Sequence, residues 1–177
     1  MPLPQLTLVL GGASSGKSAI AELLCFQSTK SRVYIATAQA FDAEMRAKIS
    51  DHHSQRGPDW LTIEAPLDVA SALGTCTNRQ IVLLDCATLW LSNALLADQD
   101  IAAASARLLA ALGTCSSQVI VVSNEVGHGI VPDNKLARQF RNAQGRLNQL
   151  LAAQANLVVQ VTAGLPQTLK GDARLLT

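Results

Sequence analysis

The sequence predicts an α/β fold, a mostly parallel sheet flanked by helices, and three observations lead there. Short apolar runs alternate with stretches of helical character, the order expected of strand–helix–strand units with right-handed crossovers. The runs are apolar at successive positions, as strands buried on both faces are. The first run, Leu6-Thr7-Leu8-Val9-Leu10, leads directly into Gly11-Gly12-Ala13-Ser14-Ser15-Gly16-Lys17-Ser18, and a helix-like stretch follows.

Taken in order, the expected strands are Leu6–Leu10, Arg32–Thr37, Trp60–Glu64, Ile81–Asp85, Val119–Ser123 and Leu157–Thr162. The expected helices are Lys17–Gln27, Asp42–Gln55, Pro66–Leu73, Thr88–Leu96, Ala102–Leu112 and Asn134–Ala155. Asp42–Gln55 is a polar helix. The Ala-rich stretch from Ala87 to Leu112 is interrupted by Asp98, Asp100 and Arg107, so it reads as helices and not as a membrane span. No repeat, low-complexity tail or linker divides the chain, and residues 1–177 are expected to form one domain.

Gly-x4-Gly-Lys-Ser between a strand and a helix is a phosphate-binding loop where its chemistry requires it. Its backbone N–H groups can wrap phosphates, and the next helix adds its dipole. Glycine permits the close approach; Lys17 would reach the β- and γ-phosphates, and Ser18 would ligate Mg²⁺. The fold class is therefore P-loop NTPase-type, with a RecA-like sheet, and the ligand a nucleoside triphosphate.

Composition narrows the partners. The chain has 177 residues, 49% hydrophobic and 15% charged, so it can bury a full core. A net charge of +1 gives no electrostatic case for nucleic acid or an anionic membrane, and 3% aromatics is too little for a base-stacking platform. Cys25, Cys76, Cys86 and Cys115 lack metal-ligand spacing, and Met1-Pro2-Leu3-Pro4 does not resemble a signal peptide. A reducing cytoplasm is the expected location.

In such sheets the ligand lies beyond the carboxyl ends of the strands. That rule selects Gly11, Gly12, Ala13, Ser14, Ser15, Gly16, Lys17 and Ser18, then Ala36, Thr37, Glu64, Asp85 and Asn124-Glu125. Asp85 ends an apolar strand in a carboxylate, where P-loop proteins place the acid that holds Mg²⁺; an acid starting the next helix is the other reading. Glu125 either faces the site or stabilises the Gly127-His128-Gly129 turn.

Two of the three histidines, His52 and His53, are adjacent at the end of the polar helix. Neighbours on a helix point about 100° apart, so one at most faces a given phosphate squarely. The pair lacks i,i+4 metal spacing. It is either solvent-facing or provides a neutral imidazole for nucleophilic attack on a nucleotide.

The chain resembles the bifunctional adenosylcobinamide kinase / adenosylcobinamide-phosphate guanylyltransferase family of cobalamin biosynthesis. The resemblance is carried by the phosphate loop, Tyr34-Ile35-Ala36-Thr37-Ala38-Gln39, Asp42-x-Glu44-Met45, and His52-x3-Arg56 with Trp60 and Glu64. It continues through Leu83-Leu84-Asp85-Cys86-x-Thr88-Leu89-Trp90-Leu91-Ser92-Asn93 and, most specifically, Asn124-Glu125-Val126-Gly127-x-Gly129-Ile130-Val131-Pro132 and Gly145-Arg146-Leu147-Asn148-Gln149. It implies two reactions. A nucleoside triphosphate, ATP or GTP, phosphorylates the aminopropanol hydroxyl of adenosylcobinamide. GTP then transfers GMP, through a histidine-bound intermediate, to adenosylcobinamide phosphate, releasing pyrophosphate.

By the same resemblance His52 is the nucleophile and Lys17 the second catalytic residue. His53, Ser54, Gln55 and Arg56 resemble the nucleotide-contacting segment, and Glu64 the acid that reads guanine. Ser18 and Asp85 would hold Mg²⁺. A homo-oligomer, a trimer in the family, is implied. Ser14 stands where the family usually carries Arg, and Gly57 displaces the proline that follows Arg56. The rival readings are a monofunctional small-molecule kinase and a nucleotide-gated regulator, neither of which needs the His52–Arg56–Glu64 set.

Overall fold

The computed structural model describes residues 3–39, 59–172 and 174. The elements run β1 (Leu6–Gly11), α1 (Lys17–Phe26), β2 (Ser31–Ala36), β3 (Trp60–Glu64), α2 (Val69–Gly74), β4 (Gln80–Asp85), α3 (Ala87–Leu96), α4 (Ile101–Thr114), β5 (Gln118–Asn124), α5 (Lys135–Gln154), β6 (Leu157–Thr162) and β7 (Leu165–Lys170). The expected helix Asp42–Gln55 lies outside the described residues.

One sheet holds all seven strands in the order β3-β2-β4-β5-β1-β6-β7. Every pairing is parallel except β6 with β7. Side chains alternate between faces with period two, and here both faces are covered, which is why the strands read as continuous apolar runs. Leu8, Leu10, Ile35, Leu84 and Val121 pack on one side with Leu73 of α2, Leu91 of α3, Leu108 of α4 and Leu147 of α5. Val9, Leu83, Ile120, Val122 and Val159 pack on the other with Ala21, Leu24 and Cys25 of α1.

Helix starts follow their caps. Asp68 accepts from the Ser71 N–H, so α2 begins at Val69, three residues beyond the expected Pro66. Asp100 caps α4 and Asn134 caps α5 in the same way. Asp100 and the left-handed Asp98 (φ 51°) break the Ala-rich stretch where the charges suggested. Among the described residues no helix is long and apolar enough to cross a membrane.

Strand β7 lies outside the sequence expectation. Its run, Leu165-Pro166-Gln167-Thr168-Leu169-Lys170, is short and largely exposed, and it contains a proline, which is tolerated only at a sheet edge. The edge is where it lies. Ala163 (φ 51°) and Gly164 (φ 78°) supply the two positive dihedrals of a tight hairpin turn.

Candidate active site

The phosphate loop leaves β1 at Gly11, whose register partner is Asn124 of β5. A Cβ on Gly11 would stand 2.3 Å from Ser15 Oγ and 2.8 Å from the Val161 carbonyl oxygen, so only glycine fits there. Ser14 (φ 54°) and Gly16 (φ 90°) turn the chain through the left-handed region into α1. Lys17 Nζ donates to the Gly12 carbonyl at 3.1 Å, folding its ammonium back over the loop. Ser15 Oγ is buried and has no hydrogen-bond partner among the described residues.

The β6–β7 turn braces this loop. The Gly164 N–H donates to the Ser15 carbonyl at 2.8 Å, and a Cβ on Gly16 would come within 3.2 Å of Gly164 Cα. Alanine at Gly164 has open space and meets only the left-handed strain, about 1–2 kcal/mol. Alanine at Gly16 meets that strain and the backbone contact together. Nucleotide affinity is therefore expected to fall about tenfold in Gly164→Ala and further in Gly16→Ala. The nucleotide-dependent rise in Tm measures it; equal losses would show that the turn does not brace the loop.

Three suspects line up across neighbouring strand ends, Ala36 being in register with both Glu64 of β3 and Asp85 of β4. Glu64 is exposed at the end of the edge strand. Asp85 Oδ2 accepts from the Tyr34 hydroxyl at 3.1 Å. The cap of α3 is Cys86, whose sulfur accepts from the Leu89 N–H, so Asp85 does not serve as the helix cap. Thr37 is fully buried. Its hydroxyl pairs with both N–H and C=O of Cys86 at 2.8 Å, and its carbonyl accepts from Asn93 Nδ2, fastening β2 to the β4–α3 junction.

Burial above all, with the Asp85 carboxylate adding to it, pushes the Cys86 thiol up to about 11, against the opposing effect of the Leu89 and Thr88 N–H groups and of Lys17. Burial likewise pushes Cys25 up to about 12. Neither thiol is a nucleophile at neutral pH. The Ser18 hydroxyl and the Asp85 carboxylate are hard oxygen donors, and Mg²⁺ takes one or two carboxylates together with substrate phosphates and waters, so this donor set fits the ion. His52, His53, Ser54, Gln55 and Arg56 lie outside the described residues.

The end of β5 acquires a place that sequence left open. The Glu125 N–H donates to the Gly11 carbonyl at 3.0 Å, setting this residue directly beside the phosphate loop. Its Oε1 accepts from the Gly127 N–H at 3.1 Å, so it also ties the turn. Beneath it, Ser123 Oγ donates to Asn148 Oδ1 at 2.6 Å, and Gln144 Nε2 donates to both at 2.9 Å. Asn148 Nδ2 reaches the Asn124 carbonyl at 3.1 Å, and Thr88 Oγ1 accepts the Asn124 N–H at 2.7 Å. The readable signal was Gln144 and Asn148, two amides at i,i+4 on the buried face of α5.

The chain is similar to known proteins over most of its length. A family model described as cobinamide kinase / cobinamide phosphate guanyltransferase matches residues 7–169. The bifunctional adenosylcobalamin biosynthesis protein CobP of Pseudomonas aeruginosa is 43% identical over 168 residues, covering 93% of this chain and 97% of that protein. The corresponding CobU proteins of Escherichia coli and Salmonella typhimurium are 40% and 41% identical, each covering 92% of this chain and 98% of the relative. Among solved structures, the RadB recombinase superposes with a TM-score of 0.50 at 16% identity, covering 88% of this chain and 73% of that one. A type III secretion ATPase gives 0.56 at 10% identity, covering 97% and 60%. These last two likenesses concern the fold alone.

Proposed function

Because the chain belongs to the cobinamide kinase / cobinamide phosphate guanyltransferase family, it is a bifunctional enzyme of adenosylcobalamin biosynthesis, and we propose that one phosphate cradle serves both of its reactions. The observation that carries this reading is the arrangement of Gly11–Ser18 at the carboxyl end of β1, with Lys17 folded over the loop and Asp85 at the same end of β4, one strand away across β5.

In the first step the aminopropanol hydroxyl oxygen of adenosylcobinamide attacks the γ-phosphorus of ATP or GTP. The bond between the γ-phosphorus and the β,γ-bridging oxygen breaks, the nucleoside diphosphate leaves with that oxygen and the hydroxyl proton passes to solvent. The loop N–H groups and Lys17 hold the phosphates and stabilise the charge that develops on them. In the second, an imidazole nitrogen of His52 attacks the α-phosphorus of GTP and expels pyrophosphate; a phosphate oxygen of adenosylcobinamide phosphate then displaces the histidine, giving adenosylcobinamide-GDP. Ser18 and Asp85 would hold Mg²⁺, which neutralises phosphate charge when bound. His53, Ser54, Gln55 and Arg56 would contact the nucleotide, Arg56 neutralising phosphate. Ala36 and Thr37 would shape its seat. The enzyme would act in the cytoplasm as a homo-oligomer, a trimer by the family resemblance.

Two attacks on different phosphorus atoms separate cleanly with label. GTP labelled at the α-phosphate is expected to mark the protein without any corrinoid, in a bond labile to acid and stable to alkali. Label at the γ-phosphate is expected to pass to the corrinoid. No mark on the protein would leave a kinase alone.

Glu64 is proposed to accept from the guanine N1–H and exocyclic amine. Glu64→Gln places a donor against those donors, so its preference for GTP over ITP, which lacks the amine, is expected to fall about tenfold. An unchanged ratio would show that Glu64 does not read that edge.

A further inference from the structure

The proposed chemistry needs a seat for a macrocycle much larger than a nucleotide, and three features at the carboxyl edge of the sheet meet that need. Helix α5 overhangs the edge. Asn148 is level with the end of β5 through its bond to the Asn124 carbonyl, and α5 runs antiparallel to the strands it connects, so Arg141 stands about 10 Å beyond the edge.

The loop 125–133 is strapped to this overhang. Arg141 Nη2 donates to the Gly127 carbonyl at 2.6 Å, and Arg138 Nη1 to the carbonyls of Pro132 and Asp133 at 2.9 and 2.5 Å. So held, the loop presents Ile130, 97% exposed, and Val131, 59% exposed, and Leu136 in the first turn of α5 is half-exposed. Large apolar groups fixed in water are costly unless something covers them.

Beside the loop lies a pocket of about 540 Å³ lined by Gly127, Arg141, Asn142, Gly145, Arg146 and Gln149. Among the described residues its lining has two guanidinium groups and two primary amides and no carboxylate. Asn142 and Arg146 are shared with an apolar groove between α4 and α5, walled by Leu109, Leu147 and Leu150. The face is thus apolar beside a concentration of hydrogen-bond donors. A corrinoid matches that pattern, since its ring edge bears methyl groups and its side chains are neutral amides whose carbonyls accept. The face is also continuous with the phosphate cradle, because Gly127 bonds Glu125 and Glu125 bonds Gly11.

We propose that loop 125–133 and the overhanging half of α5 form the corrinoid-binding face, with Ile130 and Val131 against the ring edge and Arg141 and Arg146 on the amide carbonyls. This rests on the bifunctional reading above. Arg146 and Ile130 are exposed, so Arg146→Ala and Ile130→Ser test the face without opening the core. Each is expected to raise the KM for adenosylcobinamide and for its phosphate about tenfold, the loss of one hydrogen bond or one apolar contact. The KM for GTP and the GMP adduct formed without corrinoid are expected to stay within about twofold. Calorimetric titration with adenosylcobinamide should show the same weakening.

Unchanged corrinoid KM values in both variants would overturn the proposal. So would a parallel rise in the GTP KM, which would move these residues to the nucleotide. A change of oligomeric state in Ile130→Ser with corrinoid affinity intact would show that a second copy of the chain covers the face. Failure of the bifunctional reading looks different: the unmodified enzyme itself would then leave adenosylcobinamide unphosphorylated or form no GMP adduct.

Discussion

Lys17→Ala is expected to remove kinase and guanylyltransferase activity together. On the proposed shared cradle both reactions would expel a phosphate leaving group from the same loop, and the ammonium, now folded onto the Gly12 carbonyl, is the charge that would follow it. A charge-assisted contact that strengthens as charge develops contributes several kcal/mol to the transition state, so each rate should fall on the order of a thousandfold. The fold should survive, because Lys17 is half-buried and belongs to neither apolar layer. Separate assays of corrinoid phosphorylation and GMP transfer, with Tm as the control, decide it. Kinase turnover near that of the unmodified enzyme would refute the shared cradle.

His52→Ala should divide the two activities. Imidazole has an unperturbed pKa of about 6.5, so a neutral nucleophile is available near pH 7 without special activation. With His52 as the proposed nucleophile, its loss is expected to remove the GMP adduct and guanylyl transfer, and γ-phosphoryl transfer to continue because it needs no protein nucleophile. His53→Ala should retain the adduct, the expected helix pointing that side chain about 100° away. Intact-mass measurement after incubation with Mg·GTP reads both variants. An adduct that persists in His52→Ala and vanishes in His53→Ala would move the nucleophile by one residue.

Both expectations start from residues legible in the chain alone, and the reason is local. A phosphate loop is a contiguous segment whose glycines, lysine and hydroxyl carry their roles in adjacent positions, and six strands announced themselves as short, largely apolar runs. The reading was weakest where a signal depends on a distant partner. β7 is half a hairpin on an exposed edge, so its own residues show little apolar pattern. Asp85 at a strand end read also as the start of the next helix until Cys86 was seen to cap α3.

The sequence by itself determined the parallel α/β class, the phosphate loop and the line of candidate residues at strand ends, because burial on both faces and backbone geometry are written into consecutive residues. Only the tertiary structure decided which strand ends adjoin. It set β5 between β1 and β4, brought Glu125 onto Gly11, and placed the Gly164 turn against Ser15. It also strapped the Ile130 loop to α5 through Arg138 and Arg141. The Glu125 and Gly164 contacts join residues far apart in the chain, and hydrogen bonds to backbone carbonyls, near or distant, leave no pattern in composition or periodicity. Their partners are chosen by strand order and helix overhang, which exist only once the sheet has formed.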